Sequence, residues 1–198
     1  MGRIKSALEI VLERTESVKS DKAGIEQFEA KQQGKRLANE FLADPKKSLE
    51  EALKKAPKEA RERIKQGIFD VLSAQITLPA SREDEKRLDL VGKGLQAVIG
   101  DPKFSTMYKQ FTQIISRYLN EAAQYEEAIK RQYAPKLRKK EEEFARRTGR
   151  QIQLDPFQDP EFVALYHQHL NLLKENYMTT VKDIQEQALL FFEKQSAL

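Results

Sequence analysis

From Phe104 to Tyr133 an apolar side chain returns every third or fourth residue: Phe104, Met107, Tyr108, Phe111, Ile115, Tyr118, Leu119, Ala122, Tyr125, Ile129 and Tyr133. A second stripe runs through Phe162, Tyr166, Leu170, Leu173, Tyr177, Val181, Ile184, Ala188 and Phe191. This alternation of three and four keeps residues on one side of an α-helix, whereas a strand face needs a period of two. Each stretch therefore reads as a long helix, and at 1.5 Å per residue the last one extends roughly 50 Å. Only 8 Gly and 7 Pro punctuate the 198 residues, and 33% of the chain is charged against 39% hydrophobic. That balance suits long helices bathed in water.

The remaining segments read as helices too. Ile4, Ala7, Leu8, Val11, Leu12, Thr15 and Val18 share one helical face. Ser20 or Asp21 is placed to cap a second helix bearing Ile25, Phe28, Leu37, Ala38, Phe41 and Leu42, with a bend expected at Gly34. Asp44-Pro45 starts a short helix carrying Leu49, Ala52 and Leu53, and Pro57 opens another with Ile64, Ile68, Val71, Leu72 and Ile76. Ser81 caps a helix through Leu88, Val91, Leu95, Val98 and Ile99 that Gly100 stops. Asp101-Pro102 and Asp159-Pro160 open the two long helices. Pro135 is expected to kink or interrupt the first, and Gly149 to close it. "RQIQLDPFQ" reads as an extended connection. The fold class is all-α: an elongated bundle of six or seven helices whose two long C-terminal members form an antiparallel hairpin. The chain reads as one helical domain over 1–198, with a candidate subdivision into 1–78 and 81–198.

"DPKFSTMYKQ" and "DPEFVALYHQ" match at five of ten positions. Asp-Pro recurs at Asp44, Asp101 and Asp159, yet Lys47 stands where the first copy needs Phe. The likeness has a structural reading: Asp-Pro starts a helix, and Phe and Tyr four apart share its buried face.

Several chemistries are excluded. Without cysteine there is no disulfide, thiolate nucleophile or zinc knuckle. His167 and His169, the only histidines, lie two apart and point to nearly opposite sides of a helix, so they cannot grip one ion. Ala164 and Tyr166 stand where a di-iron bundle would place glutamate. "GKG" at Gly92–Gly94 lacks the spacing of a phosphate loop, and its glycines are better suited to a close helix approach. No catalytic residue, cofactor or metal is expected, and the protein reads as non-enzymatic.

No secretory signal or membrane span is apparent, and a cytoplasmic location is expected. "MGRIKS" fits a lipid-acceptor pattern, but Ile4 is more simply the start of the first helix.

Two features invite a partner. The stripes carry more apolar surface than the shorter helices can cover, and Leu189, Leu190, Phe191 and Phe192 form a collar near the chain end. The expectation is a homo-oligomer, a two-fold dimer acting as an interaction or scaffolding protein, associating through Tyr177, Ile184, Leu189, Phe191 and Phe192. The alternative is RNA or DNA binding by residues 130–150, where nine basic residues face three glutamates. Arg138, Lys139, Lys140, Arg146, Arg147 and Arg150 would contact phosphate, with Tyr133 and Phe144 offering stacking surfaces.

Overall fold

The computed structural model describes the backbone of residues 7–196 and the side chains of residues 23–195. The apolar face expected over Ile4–Val18 and the "MGRIKS" motif fall outside those side chains. Among the described residues six α-helices follow one another: α1 (Ala7–Ala43), α2 (Leu49–Lys55), α3 (Lys58–Ser73), α4 (Arg82–Ile99), α5 (Pro102–Thr148) and α6 (Pro160–Ser196). One 3-10 turn, Pro156–Gln158, precedes α6. No strand occurs among the described residues. The class is all-α.

Asp-Pro acts the same way at each site and leads to different outcomes. The Asp Oδ1 accepts from the backbone N–H two residues on, at 3.1 Å in Asp44, 2.8 Å in Asp101, 3.0 Å in Asp155 and 3.1 Å in Asp159. After Asp101 and Asp159 a long helix follows, because the apolar stripe behind the cap has a core to join. After Asp44 only a turn forms; α2 starts later, where the Ser48 hydroxyl accepts from Glu51 N–H. Asp155 sets the 3-10 turn inside the connection that reads as extended.

Other ends follow ordinary capping. The Ser81 hydroxyl accepts from Asp84 N–H, and the Asp84 carboxylate accepts in return from Ser81 N–H and from the Ser81 hydroxyl. Gly100 and Gly149 stop α4 and α5 in left-handed turns, with φ of 74° and 72°. Three expectations about helix ends need correction. The backbone of α1 continues as helix through Ser20 and Asp21. It also continues through Gly34, whose missing side chain serves packing instead of a bend. α5 runs unbroken through Pro135. That proline sits on the exposed side, where water can satisfy the Arg131 carbonyl that loses its donor.

The chain resolves into two compact units, Met1–Ile76 with Asp89–Ser105 and Ala188–Leu198, and Thr77–Leu88 with Thr106–Gln187. The first boundary falls in the loop after α3, but the later ones fall inside α4, α5 and α6, where no linker marks them.

In the first unit α1 lies along α3. A Cβ on Gly34 would stand 2.1 Å from the Ile64 carbonyl oxygen, and one on Gly67 would stand 2.1 Å from that of Lys31. Only paired glycines permit such an approach of two helix backbones. At Gly94 a Cβ would meet Leu72 Cδ1 at 2.6 Å and Phe41 Cε1 at 2.9 Å, so α4 also comes in close. Around these contacts Ala38, Phe41, Leu53, Ile64, Ile68, Leu72, Val91, Leu95 and Phe104 are buried. Arg61 donates to the carbonyls of Lys54 and Ala56, which closes the end of α2.

In the second unit α5 and α6 contact through Tyr133 with Phe162, Tyr166 with Glu126, and Tyr118 with Tyr177, so their sequence directions oppose. Tyr108, Phe111, Ile115, Tyr118, Leu173, Val181 and Ile184 are buried here. The Tyr108 hydroxyl donates to the Leu88 carbonyl at 3.0 Å. Arg82 reaches Ser116 and Asn120 from the start of α4. No charged residue is buried among those described.

Candidate functional site

The charged end of α5 meets the start of α6 around a small apolar cluster of Ile129, Tyr133, Leu137 and Phe162, with Leu154, Leu165 and Tyr166 against it. The cluster dictates which side of α5 turns inward. Lys136 and Lys140, one and two turns along from Tyr133, are then brought to the acidic start of α6. The Tyr133 hydroxyl donates to Asp159 Oδ2 at 2.8 Å, and Lys140 Nζ donates to the same oxygen at 2.6 Å. Lys140 Nζ also reaches the Tyr133 hydroxyl at 3.2 Å, and Lys136 pairs with Glu161.

This clamp shifts its own protonation. The Lys140 ammonium, and after it the Tyr133 hydroxyl, hold the Asp159 carboxyl below the ordinary carboxylate range. Lys136 lowers Glu161 in the same direction. The hydrogen bond to Asp159 raises Lys140 in turn, while burial is the largest cause raising Tyr133. Tyr133, Lys136 and Lys140 converge on the carboxylates of Asp159 and Glu161, so the clamp is a charged cap that ties the start of α6 to α5.

The residues expected to bind nucleic acid are therefore split. Lys140 is held in the clamp with its side chain 38% exposed, and Tyr133 is buried at 6% exposure, so the Tyr133 ring presents no open face for stacking. Lys130 is likewise held by Glu126 and Glu127 and lies over the Phe157 ring. Counting charge along residues 130–150 misses these acids because they come from outside that segment. Arg138, Lys139, Arg146, Arg147 and Arg150 are exposed, and no ion pair holds them among the described residues. Phe144 is exposed at 40%.

The residues expected to join two copies are mostly used inside the chain. Phe192 stacks on Phe69 with ring centroids 4.3 Å apart and is 7% exposed. Phe191 meets the Phe104 ring edge-on at 6.1 Å and is half-buried. Ile184 is 4% exposed, and the half-buried Tyr177 packs on Tyr118 at 5.1 Å. Only Leu189 stands open at 45%, beside Leu190 at 56%. The expected surplus of apolar surface on α6 is met by α3 and the start of α5, whose aromatic rings are distant in sequence. Sequence reasoning passed over Ile25 and Phe28 as surface candidates; on α1 they are 59% and 64% exposed. Their signal was an apolar pair three apart, out of phase with the Ala30, Gly34, Ala38 and Phe41 face that meets α3.

His167 is exposed and lies edge-on to the Tyr166 ring, while His169 is half-buried. Among the described residues no group of three His, Asp or Glu side chains is placed to hold a metal, and no helix is long and apolar enough to cross a membrane. A groove of about 370 Å³ lies between α1 and α3, lined by Glu26, Gln27, Ala30, Pro57, Glu59 and Arg63 among others.

Residues 50–189 match a family of unknown function, DUF6657. The chain belongs to this family. No curated protein and no solved structure matches it. The DUF6657 match covers α2 through most of α6, so the clamp, the glycine at position 67 and the basic end of α5 lie within it, whereas α1 lies outside.

Proposed function

We propose that this DUF6657 protein is a non-enzymatic interaction protein of the cytoplasm that assembles with a second copy of itself, presenting helix faces as its working surfaces. The observation that carries this reading is the exposed pair Ile25 and Phe28, on the side of α1 turned away from α3. Large apolar side chains more than half exposed on a helix whose opposite face is already packed are what a partner helix covers. Leu189 and Leu190, exposed on α6, supply a second apolar pair. A two-fold copy supplies the same surface to itself. The interface thus moves from the terminal phenylalanines to Ile25, Phe28, Leu189 and Leu190.

Light scattering on the full chain at micromolar concentration tests the proposal. The expected result is a dimer mass that Phe28→Glu shifts to the monomer while helix content stays unchanged. A strict monomer in the wild type overturns it.

A further inference from the structure

Three lysines of the α5 end are tied down, and the cations that remain free are not scattered. With Tyr133 and Leu137 facing inward, 100° per residue places Arg131, Arg138, Lys139 and Arg146 on the opposite, outward side of α5. All four are exposed, and none is in an ion pair among the described residues. The free acids there are Glu142, between Arg138 and Arg146, and Glu143 on the edge beside Lys139. Four cations against two carboxylates leave a net positive stripe running about 22 Å along the helix.

We propose that this stripe binds the phosphate backbone of double-stranded nucleic acid, by charge and without reading sequence. The spacing selects the ligand. Arg131 and Arg138 lie about 10 Å apart along the axis, and Arg138 and Arg146 about 12 Å. A nucleotide or free phosphate needs donors that converge, whereas these are strung out in line. A duplex presents about one negative charge per 1.7 Å of its axis, so each cation along the stripe finds a phosphate within reach. Three of the four are arginines, whose planar fork matches phosphate oxygens. Gln132, Pro135 and Glu142 lie among them on that side, so the stripe offers no ring for an unpaired base and no apolar wedge for a membrane.

Fluorescence anisotropy with a labelled duplex of about twenty base pairs, from about 50 to 200 mM salt, tests this on the full chain. The expected log K against log salt has a slope of about −3 to −4, close to 0.9 per phosphate contacted. A scrambled duplex binds equally. The R131Q/R138Q/R146Q variant lowers the slope by two to three and weakens binding more than tenfold at the lowest salt. Lys136→Gln, which removes a cation held by Glu161, changes neither. The proposal is overturned by no binding at about 100 µM protein in low salt. It is equally overturned if Lys136→Gln acts as strongly as the arginine triple, or if the chain binds anionic vesicles and not the duplex.

Discussion

At Gly34 and Gly67 the backbones of α1 and α3 come so near that a single methyl group decides the packing. Alanine ordinarily favours a helix over glycine by about 1 kcal/mol. Here its Cβ would meet a carbonyl oxygen that cannot move without its helix. Gly34→Ala should therefore lower stability by about 1–3 kcal/mol in urea unfolding. Gly24 makes the opposite case: nothing lies within 4 Å of its Cβ position, so Gly24→Ala should add about 0.5–1 kcal/mol. The sequence shows a glycine inside each helical pattern and cannot distinguish these roles, since the obstacle belongs to another helix. Asp159 supplies a second prediction. Its carboxyl is lowered in the fold by Lys140, so the stabilisation is present above its unfolded value near about 3.9 and is lost as pH falls through the lower folded value. Melting temperature followed from neutral pH into acid should fall less steeply in Asp159→Asn, because asparagine keeps the cap and removes the titration. Glu161 shifts the same way, so a residual acid dependence should remain until it too is changed.

Among the elements, α5 carries a proline in its forty-seven residues and α6 carries a collar that is only half open. Pro135 removes one hydrogen bond on a wet face, and Pro135→Ala should restore it with a gain of about 1–2 kcal/mol, since proline's rigidity in the unfolded chain offsets part of the helix preference. The collar tests burial directly. Phe192→Ala should cost about 3–5 kcal/mol, because the ring stacks on Phe69 in a closed core, whereas Leu190→Ala should change monomer stability by less than about 0.5 kcal/mol. Equal losses from the two would contradict the burial described. Helix existence was legible from the stripes and from Asp101, Asp159, Gly100 and Gly149, because caps and periodicity are local. Whether Asp44-Pro45 starts a helix or only a turn was not legible, since that depends on whether the following residues reach a core.

For the whole molecule, the proposed self-association makes a prediction that monomer stability does not. Phe28→Glu should leave the unfolding midpoint of dilute protein nearly unchanged and remove the dependence of that midpoint on protein concentration. A midpoint independent of concentration in the wild type would count against assembly. The all-α class and the helix ends at Ser81, Gly100, Asp101, Gly149 and Asp159 follow from composition, period and short-range hydrogen bonds, all of which reside in neighbouring residues. The two compact units, the glycine pair joining α1 to α3, and the division of basic residues into held and free were decided only by tertiary structure. Phe69 covers Phe192 and Asp159 captures Lys140 across gaps that no local pattern records. Apolar surface and charge can be counted along a chain, but which of them is left over depends on what distant residues have already covered.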